Sequence, residues 1–310
     1  PEPKALLLQQ PPLSEQQAAS LAARIRNGCS WAETLQMFAP VGPWTVPRPV
    51  LLAVAECWRQ LRELTLPVPL NAPPLLTRFL LESLPQLTSL IVHGEEEEEN
   101  ETGASQPFEL TFVPSARTLP HLEQLCSDLL DVGTFTGLSL PNLRLLAFWG
   151  RHGVAFSFDT LRAAFSAASP SELDIIGFYA FEGVSSTDVP AANLPVLPFQ
   201  GSLAVISCPG VERTGTERLL RTLSELTELT VLHCAQLTAR DVLTLLTATV
   251  TLPRLSALKL QQEVEIEAGS EDQAELRQLV TTGREVCPDL HGKRTIALLL
   301  ITFGFAKPTR

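Results

Sequence analysis

His233 and Cys234 stand side by side in the chain, and they are the two side-chain types from which a cysteine nucleophile and its base are made. Neighbouring residues of a strand point to opposite faces, so on a strand the two cannot meet and the pair reads as structural. Carboxylates offer a second chemistry. Glu95 to Glu99 with Glu101, and Glu263, Glu265, Glu267, Glu271, Asp272 and Glu275, make two acidic segments, at 94–107 and 261–275, that hold no Lys or Arg. A calcium loop needs alternating acids around a glycine turn. Glu263, Glu265 and Glu267 alternate without such a loop, and runs of like charge belong to solvated segments. The five histidines, His93, His121, His152, His233 and His291, are dispersed, whereas a metal site needs several ligands converging. Neither a Gly-rich phosphate loop, a G-x-S-x-G elbow nor an H-E-x-x-H helix is present. With no nucleophile, base and orienter to assemble, the expectation is a protein that is not an enzyme and uses no cofactor or metal.

Composition narrows the alternatives. Hydrophobic residues are 45% of the 310 and charged residues 18%, which is enough apolar surface for a continuous core. Leucine dominates that share while aromatics reach 6%, as expected where one side-chain shape is stacked repeatedly. A formal net charge of −11 argues against nucleic-acid binding, which calls for a basic face. The twelve acids of the two segments outweigh that charge by themselves, so the rest of the chain is close to neutral. Six scattered cysteines without a C-x-x-C pair fit a reducing compartment, cytoplasmic or nuclear. No apolar stretch is long enough to span a membrane as a helix, the run Thr295 to Phe305 included. The chain opens on Pro1 and its single Met is Met37, so its start is expected upstream.

The elements that would position a site come from a recurring phrase. LPQLTSLIV from Leu84, LPNLRLLAF from Leu140 and LPRLSALKL from Leu252 share it, and WRQLRELTL, PSELDIIGF and LSELTELTV follow it without the Leu-Pro start. Taking the first Leu of each L-x-x-L-x-L as anchor gives Leu61, Leu87, Leu143, Leu173, Leu226 and Leu255, with weaker candidates at Leu122, Leu203 and Leu290. Successive anchors are 26, 35, 21, 30, 30, 23, 29 and 35 residues apart, in or near the period of about 20 to 29 of leucine-rich repeats. The last two apolar residues of the phrase are two apart, so on a strand they face inward together. Helical periodicity precedes several strands, at Pro74 to Ser83 and Glu217 to Leu223, and Ala239 to Ala248 fills another gap. Each unit reads as helix, turn, strand, with the Pro restraining the turn.

On these motifs the chain from Trp58 to Phe305 resembles the irregular leucine-rich repeats of F-box-type ubiquitin-ligase receptors and, more loosely, of ribonuclease-inhibitor-like proteins. The resemblance implies an α/β solenoid, a curved parallel sheet with helices on its convex side, spanning 58–305 with acidic insertions at 94–107 and 261–275. A helical N-terminal cap is expected over 1–57, where Ser14 and Gln17 have capping-box spacing and the Pro-rich stretch Pro40 to Pro49 ends the helix. Residues 306–310 form a tail. The function implied is a non-catalytic protein-interaction scaffold, the substrate-recognition region of such a receptor; the alternative is a regulator or inhibitor of an enzyme or GTPase. Ubiquitin-ligase subunits would be engaged only through an F-box encoded before Pro1.

In this register the strand residues facing away from the core line the concave surface, and its centre is apolar and aromatic. The expected partner-binding residues are Ile91, His93, Trp149, Arg151, His152, Tyr179, Leu232 and Lys259. Trp149 and Tyr179 are expected to form an aromatic platform on adjacent strands, with Arg151 and His152 at its rim, because Trp, Tyr and Arg dominate interface energetics. The acidic segments follow strands that should end at Val92 and Leu260, giving one rim suited to a protein partner with a basic edge.

Overall fold

The anchor leucines set where strands start. In the computed structural model, strands begin two residues after Leu61, Leu87, Leu122, Leu143, Leu173, Leu226 and Leu255. The structure describes residues 5–9, 14–28, 33–38, 46–69, 72–73, 75–95, 110–150, 157–169, 172–179, 197, 199–206, 222–223, 225–232, 254, 257–266 and 298–305. The chain divides into two compact units, Pro1–Trp149 with Phe158–Glu172, and Gly150–Ser157 with Leu173–Arg310. In both, the described strands pair in parallel.

The first unit runs β1 (Ala5–Gln9), α1 (Glu15–Gly28), β2 (Thr34–Phe38), α2 (Arg48–Cys57), β3 (Glu63–Pro69), α3 (Leu75–Ser83), β4 (Ser89–Glu95), β5 (Arg117–Thr118), β6 (Gln124–Ser127), α4 (Val132–Phe135), β7 (Leu138–Ser139), β8 (Leu145–Trp149) and α5 (Phe158–Ala167). Strands β1, β2, β3, β4, β6 and β8 pair in that order, all parallel, and β5 pairs with β7. In the second unit β9 (Ile175–Tyr179), β10 (Ser202–Ile206), β11 (Glu228–Leu232), β12 (Ala257–Ile266) and β13 (Leu298–Phe305) pair in sequence order, again parallel.

The turn before β3, β4, β8 and β11 repeats. The N–H of the anchor donates to the carbonyl three residues back, Leu61 to Trp58, Leu87 to Leu84, Leu143 to Leu140 and Leu226 to Leu223, at 2.9–3.3 Å. Pro85 and Pro141 occupy the second position of such turns, which their fixed φ favours. Successive turns are then linked. In the first unit the Arg62 carbonyl accepts from the N–H groups of Thr88 and Ser89, that of Thr88 from Glu123 and Gln124, and that of Glu123 from Arg144 and Leu145. This ladder ties each turn to the next. Inward from it, Leu64, Leu66, Leu90, Val92, Leu125, Leu146 and Phe148 are buried together with Val54 of α2, Leu80 of α3 and Leu161 of α5. Ser127 also points inward, and its Oγ lies 3.2 Å from Oγ1 of Thr77 on α3.

Several expectations meet a different arrangement. Residues 1–57, expected as a helical cap, hold two strands as well as two helices, and β2 pairs in register with β3. The capping box at Ser14 is present: Ser14 N–H donates to Gln17 Oε1 at 2.8 Å and Gln17 N–H to Ser14 Oγ at 3.3 Å. The helix it starts ends at Gly28, and Thr-Leu-Gln-Met-Phe then forms β2, with Leu35 fully buried. The prolines expected to end a helix instead start one, Pro47 standing at the N-cap of α2 with Pro in its first turn, where a missing N–H costs nothing. Strand β10 begins one residue before Leu203, and β13 at Leu298 rather than near Leu290. Strands β4 and β12 continue to Glu95 and Ile266, beyond the expected ends at Val92 and Leu260, because β3 and β13 supply partners that far. The remainder of both acidic segments, and the helical stretches expected at 217–221 and 239–248, lie outside the described residues.

Candidate functional site

Alternation along each strand sends every second side chain of the first unit away from the helices, and parallel register aligns these side chains in rows across the sheet. The first row is Thr34, Glu63, Ser89, Gln124 and Leu145. It is polar and stitched by side chains, Thr34 Oγ1 donating to Glu63 Oε2 and Ser89 Oγ to Gln124 Oε1, each at 3.3 Å. The second row is Gln36, Thr65, Ile91, Cys126 and Ala147. The third contains Pro67 and His93; Trp149, one step past Phe148, and Asp128, one step past Ser127, fall on the same level. Asp128 extends the ladder past the end of β6, its Oδ2 accepting from the Gly94 N–H at 2.8 Å.

The open face therefore grades from polar to aromatic along the strands. Glu63 and Gln124 are exposed, and Ser89, Ile91, Leu145, His93 and Trp149 partly so. The His93 and Trp149 rings meet edge to face, with centroids 5.8 Å apart and planes inclined by 62°. Ala147, expected to be exposed here, is 2% accessible, and Cys126 is 9%. Burial pushes the Cys126 thiol up to about 11, so at neutral pH it carries its proton and is not a ready nucleophile.

Of the expected partner-binding residues, the structure brings His93 and Trp149 together and places Ile91 one row away on the same face. Arg151 and His152 lie outside the described residues. Tyr179, Leu232 and Lys259 belong to the second unit, at the ends of β9 and β11 and on β12, where Leu232 pairs with Gln261 and Lys259 with Thr230. Their side chains are outside the described residues. Cys126 and Asp128 were not expected at the site. The signal that could have found them is weak, because β6 reads Leu-x-x-Leu-x-Ser, and Ser127 takes the place of the last apolar residue.

A second polar cluster lies on the helix side of the same unit. Arg78 of α3 is fully buried. Its Nε donates to Glu82 Oε1 at 2.5 Å, its Nη1 to the Thr134 and Thr136 carbonyls at 3.0 and 2.8 Å, and its Nη2 to the Ser115 carbonyl. Glu82 accepts in addition from Ser115 N–H at 3.0 Å and Ser115 Oγ at 2.5 Å, and Arg117 donates to the Glu82 carbonyl. One guanidinium thus serves the Thr134 carbonyl in the last turn of α4 and that of its C-cap residue Thr136, carbonyls that a short helix leaves without internal partners, and fixes the segment leading into β5. Spacing four apart on an apolar helix was the sequence trace of this pair.

Removal from water, the largest influence on the Glu82 carboxyl, pushes its pKa up. Hydrogen bonds from Ser115 and Arg78, with the Arg78 charge, outweigh it and hold the group below its ordinary value of 4.5. The folded state therefore favours the ionised form. That contribution is complete above the unfolded pKa and is lost as pH falls through the depressed folded value. Urea midpoints of the wild type and Glu82→Gln should differ most near neutrality and converge as pH drops below about 4, the range set by ordinary carboxyl values; a constant difference from pH 7 to 3 would contradict the assignment.

Among the described residues no group of three or more His, Cys, Asp or Glu side chains is placed to hold a metal ion, and no helix is long and apolar enough to cross a membrane. Comparison with models of known protein families and with curated protein sequences finds no match to the chain.

Proposed function

We propose that the chain is a leucine-rich-repeat-like solenoid that holds another protein on its open sheet face, as the non-catalytic substrate-recognition region of an F-box-like ubiquitin-ligase receptor. The observation that carries the docking reading is the partly exposed His93–Trp149 pair standing on the side of a parallel sheet away from the described helices. A Trp left partly in water beside a partly exposed Ile is the kind of side chain that most often anchors a protein interface. The repeated anchor turn and the ladder between turns support the repeat reading, since each unit hands its hydrogen bonds to the next. The resemblance of the Leu-Pro-x-Leu phrases supplies the ligase assignment. Cys57 and Cys126 are free thiols, in keeping with a cytoplasmic or nuclear setting.

The test is affinity purification of the tagged chain with mass spectrometry, run beside Trp149→Ala. A partner recovered with the wild type and lost with the variant, in company with ligase subunits, supports the reading. An identical set of proteins from both would remove the open face from the account, and a partner without ligase subunits would remove the receptor assignment.

A further inference from the structure

Helices α2 and α3 lead into β3 and β4, but residues 110–116 lead into β5 and β6 as irregular chain. Every residue from Thr111 to Thr118 except Phe112 is exposed, Val113 to 84%. Apolar burial therefore does little to hold this strap against α3. One residue does most of it. Ser115 donates its N–H to Glu82 Oε1 at 3.0 Å and its Oγ to Oε2 at 2.5 Å, and its carbonyl accepts from Arg78 Nη2. Three residues earlier the Phe112 ring meets Phe79 of α3 edge to face, with centroids 5.5 Å apart and planes inclined by 79°. Between the two contacts Val113 and Pro114 are exposed, and the proline keeps Val113 extended.

We infer that this side of α3 is a docking site for an extended peptide with an aromatic residue three positions before a serine, filled in the structure by Phe112–Ser115 as an internal pseudo-ligand. Backbone hydrogen bonds supply affinity in such sites and side-chain contacts supply selectivity. Here a buried ion pair reads the N–H, carbonyl and hydroxyl of one exposed residue through charge-assisted bonds, while a ring waits at a fixed spacing. The receiving groups do not depend on the strap for their placement, because Arg78 is also tied to the Thr134 and Thr136 carbonyls. Lifting the strap would admit water to Glu82 and to Arg78 Nη2, so the groups it leaves are not orphaned. One ring edge and one residue's hydrogen bonds suit local opening, whereas the leucines under the sheet open only with the whole unit. A partner in trans competes with a segment that is always at hand, and its apparent affinity falls with the fraction of chains whose strap is lifted. The site lies on the helix side, so the inference stands apart from docking on the open face.

The probe is a fluorescein-labelled peptide of residues 110–118, titrated by anisotropy against the full chain and against the double variant Phe112→Ala with Ser115→Ala. The variant should bind the peptide at least about tenfold more tightly than the wild type, since its own strap competes less. Peptides carrying Phe112→Ala or Ser115→Ala should each bind the variant about tenfold more weakly, the scale of a lost ring contact or charged hydrogen bond. In the wild type the Ser115 amide should exchange at least about tenfold faster than the Leu90 and Leu125 amides of the sheet. Four results would overturn the inference: peptide binding no tighter to the variant than to the wild type, equal binding of the substituted peptides, a Ser115 amide as protected as the sheet, or a double variant that loses its cooperative urea transition. Each would make the strap a fixed part of the fold.

Discussion

Arg78→Met should lower the stability of the first unit by about 3–5 kcal/mol, the cost of leaving one half of a buried ion pair without the other. The size follows from what the side chain serves. Arg78 is fully buried and donates to one carboxylate and three backbone carbonyls, while Met fills most of the space and offers no donor. Glu82 keeps Ser115 but loses its charge partner, and the Thr134, Thr136 and Ser115 carbonyls lose the donors the structure gives them. Removing both charges, as Arg78→Met with Glu82→Leu, often restores or improves stability where an ion pair is the whole interaction. Here it should not. An orphaned buried carbonyl costs about 1–3 kcal/mol, and Thr134 is fully buried, so the double variant should remain less stable than the wild type. Hydrogen exchange at the α3 and α4 amides assigns the loss to this unit. A double variant as stable as the wild type would mean that the carbonyls find water, and that Arg78 acts only as a counter-ion.

How far sequence reached follows the same physics. An anchor leucine announces a strand two residues ahead wherever the inward positions are apolar, as after Leu61, Leu87 and Leu143. The rule failed at Leu203 and Leu290, and at the first two strands, where Gln200, Ile296, Pro3 and Ala32 stand two residues before the strand start. An anchor that is not leucine leaves no phrase to find, so 1–57 read as helix although β1 and β2 extend the sheet. Length was misjudged for β4 and β12 because pairing with a neighbouring strand, which composition does not carry, decides where a strand stops. At the candidate site His93 and Trp149 were legible as outward strand positions. Their meeting was not, since it depends on the order in which β4, β6 and β8 pair, which brings together two residues 56 apart in the chain. Arg78 was hidden for a related reason: a lone arginine on a leucine-rich helix looks solvated until the carbonyls it serves arrive from 115 and from 134–136.

Trp149→Ala should cost partner binding far more than it costs the fold. The folded state loses one edge contact with His93, worth about 0.5–1.5 kcal/mol, and part of the burial of a ring that is partly in water already. An interface anchor loses more than about 2 kcal/mol when cut back to Ala, which is roughly 30-fold in Kd. Calorimetric titration of the purified partner against both proteins, with hydrogen exchange of β8 measured in parallel, separates the two quantities. Neutralising Glu95 to Glu99 should behave differently, slowing association at low salt while leaving the dissociation rate almost unchanged, because a run of like charge steers encounter at long range and is screened within about 10 Å at 0.1 M salt. Kd unchanged within about threefold in Trp149→Ala, less than the effect of any interface hot spot, would place the partner elsewhere. A loss of binding no larger than the loss of folded protein would make Trp149 a packing residue, whose partial exposure reflects only the end of a strand.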